Sequence, residues 1–293
     1  MKSEIREYAS AKLNFNLKVL PVRKDGFHDI ESIFQTISLK DELVVTFEEG
    51  EDHCSVHCDS MVLPQKNTLN MAFNAFEKVS GLHSGCVSVE LIKKIPAGGG
   101  LGGGSSDAAA LVRALEKFHD IKLTDSQLDG IASEVGSDVF FFVHCDRDSD
   151  GCALVSGRGE NVKKIAKRTD LHFVLIFPHV PSSTKEAYSL IDTVVYGLEK
   201  ESPLEKGPVF GDLESIYRLS VGKWSFINTF SVVLMTRYPE IAESVKELKN
   251  QKALFCDMSG SGSTVFGVFA SREDAEAAVQ NLHGKGINCV YAV

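Results

Sequence analysis

The sequence predicts an α+β fold built from two halves, on the strength of three observations. Segments with apolar residues at every second position, which indicate strands, occur in both halves of the chain. Segments with apolar residues three and four positions apart, which indicate helices, lie between those strands. Apolar residues make up 43% and charged residues 24% of the 293 residues, which is the balance of a protein with a sizeable core.

The first half opens with a strand. Leu13, Phe15, Leu17 and Val19 alternate with polar residues, so we expect these four on one face and Lys12 on the other. The other strands predicted here cover 30–39, 43–48, 87–95, 152–156 and 161–165. The predicted helices cover 67–80, 124–134 and a segment that starts near 108, and an exposed turn is predicted at 146–151.

His53 to Cys58 contains two histidines and two cysteines, the side chains that bind zinc. On a strand, however, His53 and His57 point to one face while Cys54 and Cys58 point to the other. Four ligands cannot converge from opposite faces. The pattern therefore favours an ordinary strand over a zinc site.

A basic, polar stretch from Lys163 to Asp170 separates the halves, and we place domains at 1–165 and 166–293. In the second half, strands are predicted over 171–177, 253–258, 264–270 and 287–293. Helices are predicted over 184–191, 224–237, 239–250 and 273–282, with a surface loop over 199–211.

The charge and the cysteines limit the partners and the location. A net charge of −9 argues against nucleic acid or a membrane surface as a partner, because both need basic surface. Seven scattered cysteines without a signal peptide predict free thiols and a cytoplasmic protein. No apolar run approaches the roughly 20 residues of a membrane span.

The most informative stretch is Pro96 to Asp107, in which six of the seven residues from 98 to 104 are glycines. An apolar helical pattern follows at once, so a flexible linker is disfavoured. Bare backbone N–H groups and the positive end of a helix meet here, and together they bind phosphate.

Three known phosphate-binding motifs do not explain this loop. Almost any stretch so rich in glycine matches G-x-G-x-x-G, so this match is weak evidence. The dinucleotide-binding motif also belongs to the first strand–helix unit of its domain, whereas several β segments precede this loop. Gly104 is followed by Ser105 without the lysine of a Walker A loop. The protein-kinase motifs H-R-D and D-F-G are absent.

Five motifs together resemble the GHMP kinases, the family of galactokinase, homoserine kinase and mevalonate kinase. They span nearly the whole chain in the family's order: 10–14 (SAKLN), 25–28 (DGFH), 96–109 (PAGGGLGGGSSDAA), 136–139 (GSDV) and 258–263 (MSGSGS). The resemblance is greatest to the branch whose acceptor is a cytidine-diphosphate-linked methylerythritol.

The resemblance implies an N-terminal ATP-binding domain like ribosomal protein S5, a C-terminal ferredoxin-like α/β sandwich and an active site in the cleft between them. It implies an ATP-dependent small-molecule kinase that phosphorylates the 2-hydroxyl of its acceptor, in the non-mevalonate route to isoprenoid precursors. Such an enzyme would be a monomer or a homodimer.

The resemblance also assigns catalytic roles. Asp138 matches the family's catalytic base and Lys12 the cation beside it, although a turn aspartate and a solvated lysine are the ordinary alternatives. Mg²⁺ is expected on the ATP phosphates, with Ser106 as a candidate ligand. The ATP-binding positions are Asn67, Lys93, Pro96, Ala97, Gly98, Gly99, Gly100, Leu101, Gly102, Gly103, Gly104, Ser105 and Ser106.

The acceptor side distinguishes the branch. Phe27 and Tyr188 match the aromatic pair that sandwiches cytosine, His28 matches the residue that reads the base, and Asn14 and Thr184 match polar contacts to the methylerythritol part. Core packing is the ordinary alternative for the two aromatics. The alternative within the family is a kinase for homoserine or mevalonate, which has no use for a cytosine sandwich. Lys12 with Asp138 argues against a nucleotide-binding regulator that lost catalysis, and the lack of a Rossmann start argues against an oxidoreductase.

Overall fold

The computed structural model describes residues 3–145, 151–178, 180, 183–197 and 207–293, so most of the predicted segments 146–151 and 199–211 lies outside it. The strands are β1 (Ser3–Val22), β2 (His28–Glu48), β3 (His53–His57), β4 (Cys86–Ile92), β5 (Cys152–Gly157), β6 (Asn161–Lys164), β7 (His172–Ile176), β8 (Phe255–Met258), β9 (Val265–Phe269) and β10 (Cys289–Ala292). The α-helices are α1 (Thr68–Ser80), α2 (Gly103–His119), α3 (Asp125–Val135), α4 (Ser137–Cys145), α5 (Thr184–Leu190), α6 (Leu213–Tyr217), α7 (Thr229–Arg237), α8 (Pro239–Asn250) and α9 (Arg272–Gly284).

The first sheet contains β1 to β6 and is organised around the long strand β2. Its strand order is β3-β4-β2-β5-β6, with β1 antiparallel to β2. β2 pairs with β4 through its second part and with β5 through its first part. The two strands predicted at 30–39 and 43–48 are therefore one, and the predicted break is wrong. Asp41 lies in the predicted break, and it is buried because the backbone N–H groups of Lys94 and Ile95 donate to it.

A bulge in β1 corrects the predicted face of that strand. The register shifts between Phe15 and Leu17, and Asn16 takes a φ of 57°. Phe15 consequently packs into one core and Leu17 into another, rather than both lying on a single apolar face.

The two cores lie on opposite sides of the first sheet. On one side, helices α1 to α4 pack on the sheet, and the apolar run at 139–143 belongs to α4. On the other side, Phe15 lies against aromatic rings that come from the second half of the chain. Its ring centroid is 5.9 Å from that of Phe173 and 5.2 Å from that of Trp224. The two halves therefore share a core.

The second sheet is antiparallel, with strand order β10-β7-β9-β8. The predicted helix at 224–237 begins only at Thr229, because the side chain of Asn228 accepts from the N–H of Phe230 and caps α7 there. Trp224 and Phe226 are buried in the shared core instead. The first sheet ends at Lys164 and the second begins at His172, and the domain boundary after 165 stays a prediction.

All seven cysteines are free thiols, three of them buried. The side chains of β3 alternate as predicted, since His53 and His57 are exposed whereas Cys54 is buried. In the described ranges, no helix has both the length and the apolar character that crossing a bilayer requires.

Candidate active site

A cleft of about 610 Å³ brings together most of the predicted site residues. Its floor is the glycine segment, and its walls come from both halves of the chain. The predicted residues that line it are Lys12, Asn14, Asn67, Lys93, Asp138, Thr184, Tyr188 and the whole stretch from Pro96 to Ser105. Three predicted residues do not line it: Phe27, His28 and Ser106.

The glycine segment leads directly into α2. Gly102 is the N-cap of α2, with a φ of 71°, and no side chain caps the helix. The first-turn N–H groups therefore stay available to an anion, which the positive end of the 17-residue helix also attracts. This geometry is the phosphate-binding arrangement that the sequence predicts.

A second glycine turn, Ser259 to Ser263, packs behind the first. The Ser259 hydroxyl donates to the Gly100 carbonyl at 3.0 Å, and the Thr264 N–H donates to the Gly99 carbonyl at 3.2 Å. A Cβ on Gly100 would lie 2.0 Å from the Ser259 carbonyl oxygen, so this approach requires glycine. The phosphate loop is thus held in place by the other half of the chain.

Asn228 fixes the second turn from below. Its side-chain amide donates to the carbonyls of Met258 at 2.7 Å and Gly260 at 2.9 Å, and the residue is buried. The same side chain caps α7. The segment from Asn228 to Ser231 therefore supports the second turn through Asn228 and contributes Phe230 to the lining of the cleft.

Lys12 and Asp138 form an ion pair beside the middle of the glycine segment. Lys12 Nζ lies 3.4 Å from Asp138 Oδ2, and it also donates to the Gly100 carbonyl at 3.2 Å and to Asn14 Oδ1 at 2.5 Å. The Lys12 side chain is 3% exposed and that of Asp138 is 33% exposed. The polar face of β1 is thus the wall of a cleft rather than a solvated surface.

This pair can perform acid–base chemistry on a hydroxyl group. Asp138 lies in the first turn of α4, where the helix dipole stabilises negative charge. A carboxylate placed there can accept a proton, and the ammonium group of Lys12 can stabilise the charge that develops on the reacting oxygen.

Two carboxylates that sequence reasoning missed hold Lys93 beneath the cleft. Lys93 Nζ lies 2.5 Å from Asp41 Oδ2 and 2.9 Å from Asp107 Oδ2, and all three side chains are buried. Burial alone would lower the pKa of Lys93, but the two carboxylates outweigh it and raise that pKa. Asp107 lies at the end of the glycine-rich stretch, after Ser105 and Ser106, and that position was a signal for it, whereas nothing in the sequence marked Asp41.

One cation cannot balance two buried carboxylates. Burial raises the pKa of Asp107 to about 7, and the nearby negative charge of Asp41 adds to the rise. Asp107 therefore loses its proton at a higher pH than an exposed aspartate does. The triad of Lys93, Asp41 and Asp107 also ties the end of β4 to the first turn of α2.

The acceptor-side aromatics are arranged differently from a simple sandwich. Tyr188 stacks on His28, with ring centroids 5.1 Å apart, and meets Phe230 edge-on at 5.0 Å. Phe27 is 50% exposed and lies under the guanidinium group of Arg158, 4.0 Å from its ring centroid. Stacking of a base between Phe27 and Tyr188 stays a prediction.

His28 and Thr184 are held by local partners. His28 Nδ1 donates to the Leu20 carbonyl at 2.7 Å, which directs Nε2 toward Asp192 Oδ1, 3.3 Å away. The hydroxyl groups of Thr184 and Ser261 lie 2.9 Å apart. Burial raises the pKa of Tyr188 to about 12, with a further contribution from the charge of Asp138, so Tyr188 is an uncharged ring near the reacting pair.

Two family models match the chain. GHMP kinases N terminal domain covers residues 67–146, and GHMP kinases C terminal covers residues 209–288. The first match contains the glycine segment and Asp138, and the second contains the glycine turn that packs behind it. The chain belongs to the GHMP kinase family, and it is an ATP-dependent small-molecule kinase with that family's two-domain α+β fold.

The relatives narrow this assignment. The chain is 36% identical over 286 residues to the 4-diphosphocytidyl-2-C-methyl-D-erythritol kinase of Treponema pallidum (strain Nichols), covering 96% of each chain. It is similar to a crystal structure of 4-(cytidine 5'-diphospho)-2C-methyl-D-erythritol kinase, with a TM-score of 0.74, 27% identity and 98% of each chain covered. A homoserine kinase from Cytophaga hutchinsonii gives a TM-score of 0.69 at 20% identity, over 99% of this chain and 94% of that one, and shares the fold.

Proposed function

We propose that this kinase transfers the γ-phosphoryl group of ATP to the 2-hydroxyl of 4-diphosphocytidyl-2-C-methyl-D-erythritol. The products would be the 2-phosphate and ADP, in the non-mevalonate route to isoprenoid precursors. The observation that carries the proposal is one cleft with three kinds of group. The glycine segment, the Lys12–Asp138 pair and the ring of Tyr188 all line it, and two of the three relatives named above act on this acceptor by name.

The chemical step follows from the positions of these groups. The 2-hydroxyl oxygen forms a bond to the γ-phosphorus while Asp138 accepts the hydroxyl proton and the bond to the bridging oxygen of ADP breaks. The ammonium group of Lys12 stabilises the attacking oxygen. Because Lys12 also donates to the Gly100 carbonyl of the glycine segment, it would keep the acceptor hydroxyl aligned with the γ-phosphate of ATP.

Mg²⁺ is part of this proposal, and the oxygens near the phosphate loop suit it. The Ser106 hydroxyl and Asp107 Oδ1 are buried without a hydrogen-bond partner, and hydroxyl and carboxylate oxygens are ligands that Mg²⁺ accepts. Ser106 does not line the cleft in the present arrangement, whereas Ser105 and Asp107 do. When bound, the ion would neutralise charge on the β- and γ-phosphates.

The remaining expectations rest on the composition. A net charge of −9 and free cysteines support a small-molecule enzyme of the cytoplasm that acts without nucleic acid or membrane, as a monomer or a homodimer.

A coupled assay of ADP release tests the proposed acceptor. The cytidine-linked methylerythritol should support turnover with a kcat/KM at least about 100-fold above that for homoserine or mevalonate, since a pocket built for a base leaves its polar groups unpaired with the smaller alcohols. Turnover of homoserine or mevalonate alone would assign the chain to another acceptor of the family. The assay should include a blank without acceptor, because hydrolysis of ATP also releases ADP.

A further inference from the structure

Arg158 lies at the turn between β5 and β6 and lines the cleft, although neither its type nor its spacing marked it in the sequence. Its side chain is exposed, and its guanidinium group lies over the face of Phe27, 4.0 Å from the ring centroid. A cation–π contact at an exposed position is weak, so the guanidinium group is free to exchange it for a stronger partner.

The other two cations that line the cleft are already committed. Lys12 is paired with Asp138, and Lys93 is enclosed by two buried carboxylates. Among the residues that the structure describes, no carboxylate lies within ion-pair distance of the Arg158 guanidinium. Arg158 is thus the lining cation best able to neutralise an incoming anion.

The turn that carries Arg158 packs on the turn that carries Asp138. A Cβ on Gly159 would lie 3.0 Å from the Ser137 Cβ, and Ser137 immediately precedes Asp138 in α4. Arg158 therefore contacts Phe27 through its side chain, and its turn adjoins the start of α4. In the proposed acceptor, a diphosphate links the base to the alcohol.

We propose that Arg158 binds the diphosphate of the acceptor, an inference that rests on the proposed function. The planar guanidinium group offers paired donors that match phosphate oxygens. When it turns toward the diphosphate, the face of Phe27 that it now covers becomes available to the base. One residue would then couple recognition of the diphosphate to recognition of cytosine.

The ATP side does not need Arg158. The glycine segment and the N-terminus of α2 supply backbone donors for the triphosphate. Loss of Arg158 should therefore change the KM for the acceptor and leave the KM for ATP within about twofold.

Steady-state kinetics of Arg158→Gln, Arg158→Lys and Arg23→Gln test this division. Arg158→Gln should raise the acceptor KM about 10- to 100-fold, the usual loss for a charge-assisted hydrogen bond. Arg158→Lys keeps the charge and loses the paired donors, so its acceptor KM should lie between those of Arg158→Gln and wild type. Arg23 lies in the same turn as Phe27 but is already paired with Asp25 and Asp29, so Arg23→Gln removes an equal charge as the control.

Binding of cytidine, CMP and CDP separates the diphosphate from the base. The measurement uses calorimetry with the ATP site filled by a non-hydrolysable ATP analogue. Wild type should bind CDP more tightly than cytidine, and Arg158→Gln should remove that advantage while its affinity for cytidine stays unchanged. Equal losses for cytidine and CDP, an unchanged affinity for CDP, or the same loss in Arg23→Gln would each overturn the inference.

The two proposals fail in different ways. If wild type does not phosphorylate the cytidine-linked acceptor, the proposed function fails. The binding series needs no turnover and still decides on Arg158. If wild type binds CDP no better than cytidine, Arg158 does not recognise a diphosphate.

Discussion

The two walls of the cleft, one on the side of ATP and one on the side of the acceptor, differ in the chemical groups that line them. The donor wall consists of backbone groups and buried ions: the N–H groups at the start of α2, and the Lys93 triad beneath them. The acceptor wall consists of side chains, among them Tyr188 and the exposed Arg158, with the exposed ring of Phe27 beside it. Backbone donors recognise any nucleoside triphosphate, whereas side chains can change one at a time. The donor wall therefore binds the ATP that any kinase of this family needs, whereas the acceptor wall determines which molecule is phosphorylated.

The largest effect should come from the pair between the walls. Asp138→Asn removes the proton acceptor but preserves the shape of the side chain, so kcat should fall at least about 1000-fold. Binding of ATP, measured by calorimetry, should change by less than about threefold because the glycine segment is untouched. Retention of more than a tenth of the wild-type kcat would remove Asp138 from its catalytic role.

The donor wall should be intolerant of one added carbon. Gly100→Ala places a Cβ 2.0 Å from the Ser259 carbonyl at a φ of 76°, so it should cost about 2–4 kcal/mol of unfolding free energy and raise the KM for ATP more than about tenfold. Gly286→Ala is the matched control, since Gly286 has a φ of 75° and open space around its Cβ. Equal losses of stability in urea for the two variants would show that backbone strain, rather than the contact between the two glycine turns, determines the cost.

The acceptor wall should respond selectively. Tyr188→Ala and Phe27→Ala should each raise the acceptor KM about tenfold, the value of one stacking contact with a base, and leave the KM for ATP nearly unchanged. Tyr188→Phe keeps the ring and should behave like wild type. Equal increases in both KM values would argue against stacking of the base between these rings.

The smallest effect concerns protonation beneath the donor wall. The pKa of Asp107 is raised from 3.8 to about 7 in the folded chain, so the native state holds more protons than the unfolded state between these values. The stability contributed by this proton is complete below about pH 4 and is lost as the pH rises through about 7. Asp107→Asn should therefore remove a slope of at most about 1.4 kcal/mol per pH unit from the unfolding free energy.

Urea unfolding of both proteins at several pH values between 4 and 8 measures that slope. Wild type should lose stability with rising pH more steeply than Asp107→Asn over this window. Parallel curves would mean that Lys93 and Asp41 compensate fully for the charge of Asp107.

Sequence patterns predicted best the parts of the molecule in which chemistry and local geometry coincide. Asn67, placed by resemblance at the ATP site, lines the cleft and also caps α1, where its side chain accepts from two backbone N–H groups. The many glycines of the glycine segment likewise predicted a backbone with positive φ angles, and Gly98, Gly100 and Gly102 have them. The capping of α3 by Thr124 followed from local rules in the same way.

Sequence patterns failed where contacts between distant segments determine the structure. Nothing in the sequence marked Asp41, because its partners, at 93 to 95, lie some 50 positions away. The face of β1 was wrong beyond Phe15 because a bulge of one residue leaves no periodic signal. Arg158 gave no signal, because a single arginine in a turn is ordinary until its neighbours are known.

The contact between the Gly100 carbonyl and Ser259 has a consequence for how such enzymes diverge. The two glycine turns pack against each other and hydrogen-bond, so each restricts the conformation of the other, although about 160 positions of chain separate them. A change in one turn needs a matching change in the other, so exchanging the C-terminal half with that of another kinase would break the ATP site before it altered the acceptor. We therefore expect single replacements on the acceptor wall to alter acceptor preference without disturbing the paired turns.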